Sequence, residues 1–481
     1  MIFNSLDFAV FLPVVFVLYW FVINKNLKLQ NLLLVVASYI FYGWWDWRFL
    51  GLIFFSTILD FIIGICLKKQ QRPTIRKTLL WCSIIVNLGL LGFFKYYNFF
   101  LESFHDAFSF FGQNIATQSL NIILPVGISF YTFQTLSYTI DVYKRKLEPT
   151  TNFIAFSAFV SFFPQLVAGP IERATHLLGQ FYKKRIFNYD LAVNGLRQIL
   201  WGLFKKVVIA DNCAQFANDI FNNSEQFSGA TLFLGAVFFT FQIYGDFSGY
   251  SDIAIGTSRL FGFDLMDNFR HPYFSRDIAE FWRRWHISLS TWFRDYLYIP
   301  LGGSRGSTFM KVRNIFIIFI VSGFWHGANW TFVLWGFINA CYFLPLLLAK
   351  TNRHNIGEIA GARTLPTIRE FSAIMITFVL TVFAWIFFRA KNVHHAISYI
   401  QGIFSNFHSY IDIHTYGSYK KLILLIMFFL LLEWQGRNNR FAIEYLGITW
   451  KRPVRIAFYY ALIFIIFWFS GSRQDFIYFQ F

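Results

Sequence analysis

Charge is scarce in this chain. Asp, Glu, Lys and Arg make up 14% of its 481 residues, against 56% hydrophobic and 22% aromatic. A soluble protein of that length needs more polar surface, so the composition excludes a soluble enzyme and points to a polytopic membrane protein. Cysteine is scarce as well. Cys66, Cys82, Cys213 and Cys341 are scattered, mostly within apolar runs. They form no CxxC or Cys/His spacing, so neither a metal site nor a disulfide frame is expected. Walker loops, a serine nucleophile elbow and HExxH are absent, and the GPIER and LGGSR turns are too short for nucleotide signatures.

What is present in quantity is apolar sequence. Clear runs lie at 8–23, 31–42, 52–67, 79–94, 232–243, 315–321, 332–348, 374–388, 422–432 and 457–469. A spanning helix needs ~20 mostly apolar residues, so several runs extend into their flanks, tilt or break. The first seven residues lack a basic n-region, so 8–23 reads as a retained first transmembrane helix rather than a signal peptide. The net charge is +17. In a membrane protein its first meaning is topology, because Lys and Arg stay in cytoplasmic loops. Lys25 and Lys28 follow the first expected helix, Lys68 to Lys77 the third, and Lys144 to Lys146 the fifth, which ends near Tyr143, alternating with loops such as 102–118. The N-terminus is therefore expected outside the cytoplasmic membrane. Attraction to acidic substrate or phospholipid comes second, and no nucleic-acid partner is expected.

The expected fold is all-α: one integral-membrane domain over 1–481, a transmembrane bundle of about eleven or twelve spans with re-entrant and interfacial helices. Three regions break the simple pattern. Residues 151–170 lie between two basic loops, and the breaks in FFPQLVAGPIER favour a re-entrant turn. Residues 259–313 hold nine Lys or Arg and are too polar to cross. Residues 314–350, basic at both ends, read as a hairpin or bent helix pair with a histidine near the bend.

That histidine is His326, in VSGFWHGANW. On a continuous helix Ser322, Asn329 and Trp330 fall on its side, with Gly323 and Gly327 beside that face for close helix approach. Spacing alone leaves two readings, a bundle contact or an active-site group. Intramembrane ionisable groups are costly, and an imidazole can take a proton from a hydroxyl and return it. In FWRRWHISLSTWFRDYLYIPLGGSR, helical spacing puts Arg283, His286, Ser290 and Arg294 on one side and Arg284, Ser288, Thr291 and Asp295 on another. Pro300 and the Gly302-Gly303 pair end that helix. It is either an amphipathic interfacial helix or a cationic wall that holds a phosphate-bearing acyl donor. In YGDFSGYSDIAIG, Asp246 and Asp252 end an apolar helix among three glycines, either paired with those arginines or forming a cation site. In LPVGISFYTFQTLSYTIDVYK, Gln134, Ser137, Thr139 and Asp141 line either a tunnel or an inter-helix seam.

Taken together, RRWHISLSTWFRDYLYIPLGGSR, SGFWHGANWTFVLWG, LPVGISFYTFQTLSYTIDVYK, FFPQLVAGPIER and YGDFSGYSDIAIG resemble the membrane-bound O-acyltransferase (MBOAT) family over a core of about 124–336. His286 and His326 stand forty residues apart in that order. The N-terminal MIFNSLDFAVFLPVVFVLYW resembles the bacterial branch containing the membrane subunit of alginate O-acetylation. The resemblance implies a helical bundle pierced by a channel. The family's invariant histidine maps onto His326 and its second active-site residue onto His286. It also implies an acyltransferase moving acetyl groups from a cytosolic donor, acetyl-CoA or another acyl-CoA or an acyl carrier protein, with no bound cofactor. The groups would pass outward to an SGNH-type acetyltransferase that modifies an exported polysaccharide. On that reading His326 is the general base, and His286, Arg283 or Arg294 polarises the thioester carbonyl or holds the donor's phosphates. Arg284, Ser290 and Asn329 complete the expected substrate-binding set, and no metal ligand is expected. Two alternatives stand: a non-catalytic transporter of polysaccharide or small molecules coupled through Asp246 and Asp252, and a lipid O-acyltransferase.

Overall fold

A computed structural model describes residues 1–112, 119–167, 169–405, 413–470, 474, 476 and 477. Residues 113–118 of the low-charge loop and Ala168 in FFPQLVAGPIER lie outside the described residues. The described chain is helical without strands and divides into two compact units, 1–192 with 257–266, and 193–256 with 267–481.

In the first unit α1 (Leu6–Val17) ends in a π turn. Then α2 (Leu27–Asp46) begins where Asn26 accepts from the Lys28 and Leu29 amides, and α3 (Leu50–Lys69) and α4 (Pro73–Leu91) follow. At ~1.5 Å per residue, the 20 residues of α2 and of α3 each match the ~30 Å hydrocarbon core. Helix α5 (Ile128–Tyr143) packs on α3 where Gly64 leaves no room for a Cβ beside the Tyr138 hydroxyl. The seam is polar. Buried Asp60 accepts from Ser83 Oγ (2.5 Å), Thr139 Oγ1 (3.0 Å) and Asn87 Nδ2 (2.9 Å). Gln134 Nε2 donates to Phe159 O (2.6 Å) and Ser137 Oγ to Gln134 O (2.7 Å). These side chains thus serve inter-helix and backbone hydrogen bonding. Helix α6 (Phe153–Ser161) has nine residues, too short to cross ~30 Å, and is followed by the four-residue turn Phe163–Leu166.

In the second unit α7 (Gly229–Leu260) is 32 residues long. Asp246 and Asp252 lie within it, not at its end. Gly249 and Gly256 let it approach the backbone of 195–206, because a Cβ there would come within 2.8 Å of Gly202 O and 2.5 Å of Gly195 O. The aspartates pair with lysines and not, as one reading had it, with the arginines downstream. Lys205 Nζ sits 2.5 Å from Asp252, and Lys206 Nζ sits 2.7 Å from Asp246 and 2.8 Å from Asp211. The close approach at the glycines brings that lysine-bearing π turn (Phe204–Ala210) against α7.

The expected single helix through His286 is two seven-residue helices, α8 (Ile278–Arg284) and α9 (Ile287–Phe293). His286 itself takes a left-handed backbone, φ 43°. The break is held by a neighbouring segment: Arg270 N donates to Arg284 O (3.0 Å) and Ile287 N to Asn268 O (2.9 Å). Neither helix is long enough to cross a membrane, and a turn through Gly302 and Gly303 follows as expected.

Helix α10 (Thr308–His326) and α11 (Trp330–Leu348) form the expected hairpin, with His326 at the bend. A Cβ on Gly323 would lie 2.2 Å from Phe332 O, and one on Gly336 would lie 2.2 Å from Phe319 O. Gly327 lies past the helix end and leaves room for the Phe332 ring. Asn329 and Trp330 therefore do not share a helix face with His326. Asn329 caps α11, accepting from Thr331 N (2.9 Å) and donating to Lys391 O (3.1 Å). Helix α12 (Ile368–Arg389) opens with a capping box between Thr367 and Glu370, and α13 (Ile413–Gln435) carries Glu433.

Among the described residues six continuous helical stretches are long and apolar enough to span, which makes this a multi-pass membrane protein. The first, 43 residues long, contains both α2 and α3. Other apolar runs counted toward about eleven or twelve spans fall in shorter helices, such as Leu6–Val22 and Arg452–Trp468.

Candidate active site

The two histidines meet inside the second unit. Their ring centroids are 6.4 Å apart, and both are buried, with 1% and 2% of the surface of His286 and His326 exposed. His326 ends α10 among rings: Trp325 at 5.0 Å, Trp335 at 5.2 Å and Phe388 at 5.3 Å, centroid to centroid. The close packing of α10 on α11 brings Trp335 to it.

His286 sits instead on a polar anchor. Its Nδ1 is 3.0 Å from Asn268 Oδ1. That oxygen also accepts from Ser288 Oγ (2.9 Å), while Asn268 Nδ2 donates to Ser251 Oγ (3.0 Å). Because the amide oxygen faces the ring, Nδ1 carries the proton, and Nε2 holds the lone pair. Burial pushes the His286 imidazole down to about 3, so it is neutral at physiological pH. Phe247 stands edge-on at 4.6 Å.

Beside the hairpin lies a cavity of about 740 Å³. Its floor includes Trp282, Ile315, Phe319 and Phe343, and its lining holds five cations, Arg283, Arg294, Lys311, Lys350 and Arg353. Ser322 also lines it, one helical turn before His326. The cavity joins an apolar surface to a strongly basic one, which suits a ligand with an uncharged end and a phosphate-bearing end.

The expected substrate-binding residues divide. Arg283, Ser290 and Arg294 line this cavity together, despite the break at His286. Arg283 donates to Asn352 O and Asn355 O (2.9 and 2.8 Å), and Arg294 pairs with Asp295 (2.7 Å). Arg284 turns away, paired with Glu280 (3.0 Å) and lining a separate cavity with Arg270 and Arg437. Asn329 is taken up by its cap.

Several residues escaped the sequence reading. Asn268 lies eighteen positions before His286 in a segment with no helical period. Lys311, Lys350 and Arg353 read only as flanking charges. Glu433 accepts from Tyr244 OH (2.6 Å) and Trp201 Nε1 (3.1 Å) and pairs with His271 (2.7 Å). From the chain's last stretch, Ile477 N donates to Asp246 (2.6 Å), and the Phe476 ring lies 4.3 Å from Tyr250 and 6.1 Å from Phe247. None of these carried a local motif.

Comparison with known proteins agrees with this architecture. Residues 143–356 match the family model of the membrane-bound O-acyltransferases. The chain is 41% identical to the probable alginate O-acetylase AlgI of Pseudomonas aeruginosa, over 84% of this chain and 75% of that protein. It is 36% identical to the peptidoglycan O-acetyltransferase of Helicobacter pylori, over 84% of this chain and 80% of that one. The teichoic acid D-alanyltransferase of Bacillus subtilis is 29% identical over 57% of this chain and 71% of its own length. With two buried histidines paired in its second unit, and with relatives of this kind over most of its length, the chain belongs to the membrane-bound O-acyltransferase family and is an acyltransferase.

Proposed function

We propose that this acyltransferase moves acetyl groups from a cytosolic acyl thioester across the membrane for the O-acetylation of an exported polysaccharide, with His326 as the general base. The observation that carries the proposal is the pair of buried imidazoles 6.4 Å apart, in a chain whose relatives are named for alginate and peptidoglycan O-acetylation. An acceptor hydroxyl attacks the thioester carbonyl carbon as His326 takes its proton. The C–S bond breaks, and the thiolate leaves and recovers that proton. The products are an acetyl ester and a free thiol.

His286 takes a different part from the one its spacing suggested. With Nδ1–H held by Asn268 and the ring neutral, Nε2 can accept a hydrogen bond but cannot donate one to a carbonyl oxygen. It orients the incoming hydroxyl toward His326. The cations of the 740 Å³ cavity hold the donor's phosphates. Both acetyl-CoA and an acyl carrier protein bring such phosphates, so the cavity suits either. The acceptor hydroxyl belongs to a periplasmic or cell-surface SGNH-type acetyltransferase, reached across the cytoplasmic membrane with the N-terminus outside, and that partner hands the acetyl group on from its ester to a hydroxyl of the polysaccharide. The basic loops carrying Lys25 and Lys184–Arg185 support that orientation, because they line one cavity and so share one side.

The transporter reading is weakened by the lysine partners of Asp246 and Asp252, since a coupling carboxylate needs to be open to its ion. The test uses purified protein in proteoliposomes with radiolabelled acetyl-CoA and, separately, an acetylated carrier protein. Label should reach an added SGNH-type acetyltransferase, and through it a glycan, with wild-type protein, and the His326→Ala variant should insert normally yet transfer at only a small fraction of that rate. Normal transfer by that variant would remove His326 from the chemistry.

A further inference from the structure

A second cavity, of about 470 Å³, lies in the first unit, within residues 1–192, far along the chain from the histidines. It forms where the π turn ending α1 meets the irregular segment after Tyr182. Phe16, Trp20 and Phe187 make its apolar wall, with ring centroids 6.1 Å (Phe16–Phe187) and 5.5 Å (Trp20–Phe187) apart. Lys25, Lys184 and Arg185 supply its charge, and among the described residues no carboxylate lines it.

Arg185 is the unusual member. Only 7% of it is exposed. Its guanidinium lies 5.5 Å from the Tyr19 ring centroid and 4.9 Å from that of Phe263. Nη2 donates to Asn31 Oδ1 (2.6 Å), and Asn31 is held in turn by donating to Phe181 O (2.9 Å). Nε and Nη1 are buried without a hydrogen-bond partner among the described residues. The neighbouring Tyr19 hydroxyl donates to Phe261 O. Apart from the neutral Tyr19 hydroxyl beside it, the guanidinium meets no counter-charge among the described residues, and a buried cation left so is costly. The geometry therefore calls for an anion that enters from the cavity, and a phosphate offers the acceptor oxygens a guanidinium fork fits.

The apolar wall identifies which phosphate. A free ion gains nothing from Phe16 and Phe187. A diacyl lipid gains a great deal, because its chains can run along that wall and past Phe21 and Ile186, which stand 75% and 79% exposed at the lip. We infer that this cavity binds the phosphate headgroup of an anionic membrane phospholipid, with Arg185 at its base and Lys25 and Lys184 at its rim. This site stands apart from acyl transfer and does not depend on how that reaction is read.

The test is native mass spectrometry of the full-length protein released from nanodiscs holding equal phosphatidylglycerol and phosphatidylcholine. Wild-type protein should retain phosphatidylglycerol in preference. The exposed pair Lys25→Gln/Lys184→Gln should fold normally and lose about 25-fold in that retention, about fivefold per cation near the membrane surface. Arg185→Gln should lose it as well, and the rim pair keeps the result interpretable if the buried change unfolds the unit. Equal retention of both lipids by wild-type protein, or an unchanged preference in the rim pair, would overturn the proposal. Displacement of the lipid by equimolar soluble glycerol 3-phosphate would overturn the lipid assignment in favour of a free phosphate ester.

Discussion

Of the two buried imidazoles, His286 is held by hydrogen bonds and His326 is packed among rings. Asn268, Ser288 and Ser251 form a chain of polar contacts that fixes which nitrogen of His286 carries the proton. Around His326 stand Trp325, Trp335 and Phe388. The difference teaches a division of labour. A ring locked by a neutral amide keeps one tautomer and serves to orient. A ring packed against three aromatics takes its place from shape.

The largest expected effect tests the His326 side. His326→Ala should cut acetyl transfer roughly 10²–10⁴-fold, the usual worth of a general base, with a melting temperature lowered by the cavity the buried ring leaves but membrane insertion unchanged, read by label transfer and by a melting curve. Asn268 tests the other side. Asn268→Ala should lower transfer about 5- to 150-fold, the equivalent of about 1–3 kcal/mol for losing one partner of a buried polar network. Asn268→Asp should act differently, because a carboxylate 3.0 Å from Nδ1 favours the charged imidazole. Its rate profile should lose activity at a higher pH than that of the wild type. If both substitutions lower the rate with no change in the profile, Asn268 is only a packing residue.

Gly323→Ala asks whether His326 is placed by backbone contact. A Cβ at that site would meet Phe332 O at 2.2 Å, and overpacking of this kind costs about 1–3 kcal/mol, seen as a lower melting temperature with His286 geometry unaffected. The smallest effect is the acid dependence of stability. His286 is held near pKa 3, below its ordinary 6.5. The unfolded chain takes up a proton below pH 6.5 that the folded chain refuses, so folded stability is whole at neutral pH and declines as pH falls from 6.5 toward 3. Replacing His286 with Gln should flatten that decline, measured by thermal melts at pH 7 and pH 5.

The legible parts were those that a local pattern carries. The apolar runs announced the helices, and the glycine spacing around His326 announced a close partner. The hairpin followed from the basic flanks of 314–350, whereas the end of the helix at His326 did not, since Asn329 and Trp330 were placed on its continuation. The break at His286 was hidden, because an L-residue with φ 43° is imposed by backbone pairing to Asn268 and Arg270 rather than by a glycine or proline. Helical spacing through that break nevertheless put Arg283, Ser290 and Arg294 together, and one cavity collects them. The lysine partners of Asp246 and Asp252 were also hidden, since Lys205 and Lys206 lie forty or more positions upstream in an apolar turn. Contacts of that range have no periodic trace.

The glycine contacts between α10 and α11 have a mechanical consequence. Where helices meet through side chains, each can slide or rock as rotamers change. Gly323 against the Phe332 carbonyl, and Gly336 against that of Phe319, leave no side chain between the two backbones to yield. The hairpin must then move as one stiff lever, carrying His326 with it. Admission of a bulky donor would fall to the more compliant surroundings: long lysine and arginine arms and short interfacial helices that can yield while the imidazole keeps its station.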